Sequence, residues 1–159
     1  KIKGIEQIIN SLQNLANYCL IIIGDGPDLE RLKTLVREKG LIDRCIFFGY
    51  KNKAYLFLEY IDIYMMTSYS EGFPLVVIEA AQYKKPIVCS KLPIFKEFFN
   101  SSQVSFFELD DKQSLINAVK VANYKKRELS NNIYDIYLKR YTKNIMGYNY
   151  YINFKQLLS

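Results

Sequence analysis

The sequence predicts an α/β domain, a doubly wound, Rossmann-like parallel sheet of about five or six strands with helices on both faces and extra C-terminal helices. Three observations carry this prediction. Short apolar runs such as "YCLIIIG", "RCIFFG" and "PIVCS" have the length and character of strands buried on both faces. Helical stretches alternate with them, which calls for right-handed crossovers and a parallel sheet. From about Asp110 the spacing is helical only.

Each element has its own warrant. Ile5, Ile8, Ile9, Leu12 and Leu15 recur at helical spacing. "YCLIIIG" is the first strand, and "GDGP" breaks the chain after it. "DLERLKTLVREKG" is amphipathic, with Pro27 suited to its first turn and Gly40 to its C-terminal cap. "RCIFFG" is a strand, "NKAYLFLEY" a short helix and "IDIYMMT" a strand. "PLVVIEAAQYK" is a helix, "PIVCS" a strand, "PIFKEFF" a helical turn or two, and "VSFFEL" the last strand. No linker, low-complexity stretch or repeat interrupts the order, so residues 1–159 are expected to form one domain, with terminal helices over about 110–159.

Composition narrows the chemistry. Half of the 159 residues are hydrophobic and 24% are charged, the balance of a globular chain. No apolar run approaches the roughly 20 residues that span a bilayer, and no signal peptide is recognisable. Cys19, Cys45 and Cys89 lie in or beside hydrophobic runs without CxxC spacing, and read as reduced core residues of a cytoplasmic protein with no metal. Histidine is absent, which removes the commonest general base and metal ligand. The chain starts without Met and runs straight into a helical pattern, so it is expected to be a fragment of a longer protein. Seven of its Lys and Arg residues fall from Tyr124 onward, against Glu128 and Asp135. The plainer reading of that excess is a solvated helical face. The other is a surface attracted to an anionic partner or to anionic lipid, the latter as peripheral contact at the inner face of the membrane. The eight Tyr and Phe of the same stretch read first as packing among the terminal helices.

Ligands of a doubly wound sheet bind beyond the carboxyl ends of its strands. The loops to inspect are therefore Gly24–Pro27, Gly49–Lys53, Thr67–Pro74 and Ser90–Pro93. The third carries "SEGFPLVVIEA". Pro74 suits the start of a helix, so the amides of Gly72, Phe73, Leu75 and Val76 sit at or near a helix N-terminus, a seat for a diphosphate. Glu71 stands beside that seat. Glu79 lies about one and a half turns into the helix and leans back toward it. Two carboxylates flanking an anion site suit a diphosphate with a sugar at each end, because a carboxylate accepts from two neighbouring hydroxyls at once. The alternative is that Glu71 is a solvated loop residue and Glu79 pairs with a nearby lysine. Gly24-Asp25-Gly26-Pro27 is equally a tight strand-to-helix turn, and GxGxxG fails because residue 29 is leucine.

"EGFPLVVIEA" resembles the E-x7-E signature in the C-terminal domain of GT-B glycosyltransferases, specifically glycosyltransferase family 4, also called group 1. "KGIEQII", "LIIIGDGPDLERLKTLVREKGLIDRCIFFGY" and "YLFLEYIDIYMMTSYSEGFPLVVIEAAQYKKPIVCS" resemble the family's segments in the same order, and the tail resembles its closing helices. The resemblance covers essentially the whole chain.

It implies a retaining, metal-independent transfer of a sugar from a nucleotide diphosphate, with no cofactor and with UDP-sugar or GDP-sugar as donor. It implies that Glu79 binds ribose hydroxyls, Glu71 contacts the donor sugar, and Gly72, Phe73, Pro74, Leu75 and Val76 hold the diphosphate and sugar. Lys3 matches the lysine that neutralises the phosphates, which makes Lys3 and Glu71 the catalytic pair. Gly24, Asp25 and Gly26 form a loop near the donor cleft, and Tyr50 and Lys51 match the segment whose backbone reads the base. Three features depart from the pattern. The family's arginine would fall before residue 1, Lys84-Lys85 replaces a glycine, and the glycine before Glu97 is missing. The resemblance places the saccharide or lipid-linked acceptor on an N-terminal domain outside these residues, and implies that this chain alone transfers nothing. A role in bacterial surface polysaccharide is expected by association. A sugar-nucleotide epimerase or another GT-B-related enzyme, or a non-catalytic nucleotide-binding module, are the alternatives on the same architecture. Nucleic acid is not an expected partner, since no motif supports it.

Overall fold

The computed structural model describes residues 2–157. The chain runs α1 (Ile5–Leu12), β1 (Leu20–Ile23), α2 (Leu29–Glu38), β2 (Cys45–Gly49), a 3-10 segment (Ala54–Tyr60), β3 (Tyr64–Met66), α3 (Leu75–Gln82), β4 (Ile87–Ser90), α4 (Pro93–Phe98), β5 (Ser105–Phe107), α5 (Lys112–Tyr124), α6 (Lys126–Ile136), a π-helical segment (Tyr137–Tyr141) and α7 (Lys143–Leu157). The predicted order is thus recovered, with "NKAYLFLEY" wound as 3-10 rather than α-helix.

All strand pairs are parallel. They fall into two hydrogen-bonded groups, β1–β2 and β3–β4–β5, where one continuous sheet was expected. β3 is only three residues long and pairs on one edge, with β4. β4 shows why "PIVCS" is apolar throughout. Its four residues are all buried, and successive side chains point to opposite faces. Val88 joins a core with Ile9, Leu12, Val36, Leu115 and Val119, while Ile87 and Cys89 join a second core with Val77, Ala80, Phe95, Val104 and Ile133. Helices α1, α2 and α5 therefore cover one face, and α3, α4 and α6 the other.

Local chemistry fixes the ends of the elements. Gly40 closes α2 in the left-handed conformation, with Leu41 N–H bonded to Val36 O at 2.9 Å and Gly40 N–H to Arg37 O at 3.0 Å. α3 ends in the same pattern, with Lys84 N–H on Ala81 O and Lys85 N–H on Ala80 O. There Lys84 takes the left-handed position at φ 52°, where glycine is the usual occupant. Its ammonium lies 4.3 Å from the centre of the Tyr134 ring. Asp111 caps α5 by accepting from Ser114 N–H at 2.9 Å.

Two expectations need correction. Cys45 and Cys89 are buried, but Cys19 is exposed, because it precedes β1 instead of lying in it. The terminal aromatics divide. Tyr137 and Tyr141 pack on the second core and Tyr137 stacks on Tyr134, whereas Tyr124, Tyr148, Tyr150, Tyr151 and Phe154 are exposed. The basic excess is partly answered locally, with Lys126 on Asp62 at 2.5 Å and Lys125 on Glu128 at 3.4 Å. Among the described residues, no helix is long and apolar enough to cross a membrane.

Candidate functional site

The loop after β3 is laced to the first residues of the chain. Thr67 Oγ1 donates to Lys3 O at 2.8 Å, and Tyr69 N–H donates to Ile2 O at 2.8 Å. Gln7 Nε2 donates to Thr67 O at 3.3 Å, while Gln7 Oε1 accepts from Asp110 N–H at 2.8 Å. Gly4 makes this approach possible. It holds φ +61°, and a Cβ there would stand 2.0 Å from Thr67 O. Ser90 Oγ, at the end of β4, donates to Ser68 O at 2.7 Å in a buried position. The loop is thereby pinned from two sides. Its neighbour on a third is Asp110, which accepts a short hydrogen bond from the Tyr69 hydroxyl. That donation raises the Tyr69 phenol to about 12.

This lacing brings Lys3 and Glu71 together across the sequence. Lys3 Nζ lies 2.7 Å from Glu71 Oε1. The Glu71 side chain is only 14% exposed, that of Lys3 63%. Glu71 is thus a paired, half-buried carboxylate, and the solvated-loop alternative fails.

Glu79 stands on the outer face of α3 and is exposed. It has no ion pair among the described residues, so the lysine-pairing alternative fails as well. With Leu75, Ile78 and Gln82, Glu79 lines one wall of a groove, and Tyr137, Tyr141, Lys143 and Met146 form the other. That second wall was not legible in the sequence, because it is assembled from the π-helical segment and α7. Glu79 and Glu71 share a neighbour in the Tyr64 phenol. Burial pushes its pKa well above the ordinary tyrosine value, and the fields of Glu79 and Glu71 push it further.

The residues before α3 divide into those that can donate to a ligand and those that cannot. The N–H groups of Gly72, Phe73 and Val76 have no partner among the described residues, whereas Leu75 N–H is bonded to Phe73 O at 2.9 Å. The expected seat therefore offers three of its four amides. Pro74 is buried beneath it, and Phe73 packs edge-on against Phe98 at 5.3 Å.

The other predicted residues form a second group. Gly24 N–H donates to Gly49 O at 2.9 Å, which ties the loop after β1 to the end of β2. Gly26 N–H closes on Asp25 Oδ1 at 2.7 Å, and Tyr50 and Lys51 stand exposed just beyond. Glu97 is exposed on α4. Among the described residues, no three His, Cys, Asp or Glu converge as metal ligands.

Known proteins resemble this chain in sequence and in fold. The family model for glycosyl transferases group 1 matches residues 1–147. An O-antigen biosynthesis glycosyltransferase of Escherichia coli, WclY, is 30% identical over 150 residues, which are 94% of this chain and 42% of that protein. The chain thus spans less than half the length of this relative. The structure superposes on Anabaena HepE in complex with UDP with a TM-score of 0.87 at 20% identity, covering 99% of this chain and 46% of that one. It also superposes on the C-terminal domain of the Francisella tularensis group 1 glycosyl transferase LpcC, with a TM-score of 0.76 at 22% identity, covering 89% of this chain and 81% of that one. These likenesses show the fold to be that of the C-terminal half of a GT-B protein. With nearly its whole length matched, this chain belongs to the glycosyl transferases group 1 family.

Proposed function

We propose that this chain is the donor-binding half of a retaining glycosyltransferase that moves a sugar from a nucleoside diphosphate sugar to a saccharide or lipid-linked acceptor. In this reading residues 1–159 form one nucleotide-sugar-binding domain, and the acceptor is held by a further, N-terminal domain. The observation that carries the proposal is the meeting of Lys3 and Glu71 at 2.7 Å, beside the free amides of Gly72, Phe73 and Val76. An ammonium and three donors at a helix N-terminus suit a diphosphate, whose negative charge grows as the glycosidic bond breaks. Glu71 takes hydroxyls of the donor sugar and Glu79 those of the ribose. The loops at Gly24, Asp25 and Gly26 and at Tyr50 and Lys51 reach the nucleotide from the β1–β2 side.

UDP in the HepE complex supports a uridine nucleotide, with GDP as the competing choice. The O-antigen role in the name of WclY supports bacterial surface polysaccharide synthesis. Such work places the protein in the cytoplasm, with the exposed basic residues of the last helices near the inner face of the membrane. Reaction at Lys3 and Glu71 needs neither metal nor cofactor, because the ammonium and amides stabilise the leaving group directly.

A calorimetric titration with UDP, GDP, their sugar conjugates and ATP tests this reading. Saturable binding of one nucleoside diphosphate family over ATP is expected. Equal affinity for all of them, or none at millimolar ligand, contradicts it.

A further inference from the structure

The two groups assigned to the diphosphate and to the sugar of the donor are bonded to each other. Lys3 Nζ donates to Glu71 Oε1 at 2.7 Å, and the backbone around both is fixed by the Thr67–Lys3 and Tyr69–Ile2 hydrogen bonds. The lysine that would neutralise a diphosphate is thus held, in the free protein, by a carboxylate. We infer that the Lys3–Glu71 pair is an internal competitor that discriminates against bare nucleoside diphosphate in favour of the nucleoside diphosphate sugar. The inference rests on the donor-site reading above.

The physical argument is one of exchange. A diphosphate that enters must draw Lys3 away from Glu71 and leave that carboxylate half-buried, unpaired and close to another anion. An unpaired, desolvated carboxylate is costly, and like charges at close range add to the cost. A donor carrying its sugar avoids the first penalty, because its hydroxyls donate to Glu71 as Lys3 leaves, and lessens the second, because its esterified diphosphate carries less negative charge than the bare one. The leaving nucleotide, once the sugar has been transferred, has no such donors. The recovered Lys3–Glu71 bond then favours its departure. Glu71 acts here as a specificity residue, and its effect on bare nucleotide has the sign opposite to that of an ordinary binding group.

The sign is what the test reads. Calorimetric titrations at low ionic strength compare wild type, Glu71→Gln, Lys3→Gln and the double variant, with UDP, GDP and their glucose conjugates as probes. Glu71→Gln should tighten the better-bound bare diphosphate by about threefold to tenfold, within the range of a partly exposed ion pair plus relief of repulsion. It should weaken the sugar conjugate relative to the bare nucleotide. In the Lys3→Gln background the same change should gain less, since no ammonium remains to be released. Unchanged or weakened binding of bare diphosphate by Glu71→Gln overturns the inference while the donor reading stands. An equal gain with and without Lys3 also overturns it, because repulsion alone then explains the effect. Wild-type protein that binds neither probe overturns both.

Discussion

Gly4 is the position on which the site depends most directly, and Gly4→Ala is the perturbation that exposes it. Two separate costs can be worked from the structure. The left-handed conformation at φ +61° costs a residue with a Cβ about 1–2 kcal/mol. The new methyl group also meets Thr67 O at 2.0 Å and Gln7 Nε2 at 2.7 Å. The first of these is backbone and cannot swing aside. Relief requires the loop after β3 to retreat, at an overpacking cost of about 1–3 kcal/mol, and takes with it the Gln7–Thr67 hydrogen bond, about 1 kcal/mol more. The expected loss is about 3–6 kcal/mol. For a chain of this size that is a drop of roughly 10–20 °C in Tm. Gly40→Ala is the matched control. Its φ is +65°, but nothing lies within 4 Å of the added Cβ, so only the same conformational cost of about 1–2 kcal/mol applies. Denaturant unfolding of both variants, followed by circular dichroism, separates the two contributions. Equal losses for Gly4→Ala and Gly40→Ala would refute the claim that residues 3–7 and the β3 loop are locked together at Gly4.

Three other outcomes are expected. Lys84→Gly should stabilise the protein by about 0.5–1.5 kcal/mol, since relief of left-handed strain of about 1–2 kcal/mol exceeds a surface cation–π contact on Tyr134 of about 0.5 kcal/mol; a loss in chemical denaturation would reverse that ranking. Tyr69 favours the fold in its neutral, donating form, so its contribution is fully present below the ordinary tyrosine value of 10.0 and fades as pH rises through about 12. The stability gap between wild type and Tyr69→Phe should therefore be flat to pH 10 and then shrink, and a gap that widens above pH 10 would count against the Tyr69–Asp110 bond. Cys19 should react with a thiol reagent in the native protein while Cys89 stays inert, because Cys89 is fully buried and burial raises its thiol pKa; mass mapping that finds Cys89 modified first would contradict the assigned burial.

The succession of elements was legible because its signals are local. Apolar runs, Gly40 after "LVREK" and the helical spacing beyond Asp110 each speak for their own segment. The division of the strands into two hydrogen-bonded groups was not legible, since nothing in the residues of β3 says which neighbours it will bond. The same limit applies to the site. "EGFPLVVIEA" marks Glu71, Glu79 and the helix N-terminus between them, but Glu71 pairs with Lys3 across 68 residues of sequence and no periodicity predicts it. Gly4 and Gln7 carry no local signal of their own, and only the approach of Thr67 gives them their roles. The seat itself is smaller than expected, because Leu75 N–H turns back to Phe73 O. The groove wall of Tyr141, Lys143 and Met146 escaped notice for a different reason. Aromatic and basic residues in a terminal helix read as packing or as a solvated face, and both readings are correct for parts of it.

The central claim is that the diphosphate sits at the β3–α3 loop against Lys3. Amide chemical-shift mapping of this chain by NMR, titrated with UDP and with GDP, tests it most directly. The account predicts the largest shifts at Lys3, Gly72, Phe73 and Val76, with Glu79 next, and their loss in Lys3→Gln. Shifts confined to the groove of Tyr137, Tyr141 and Met146, with the β3–α3 loop unmoved, would contradict it.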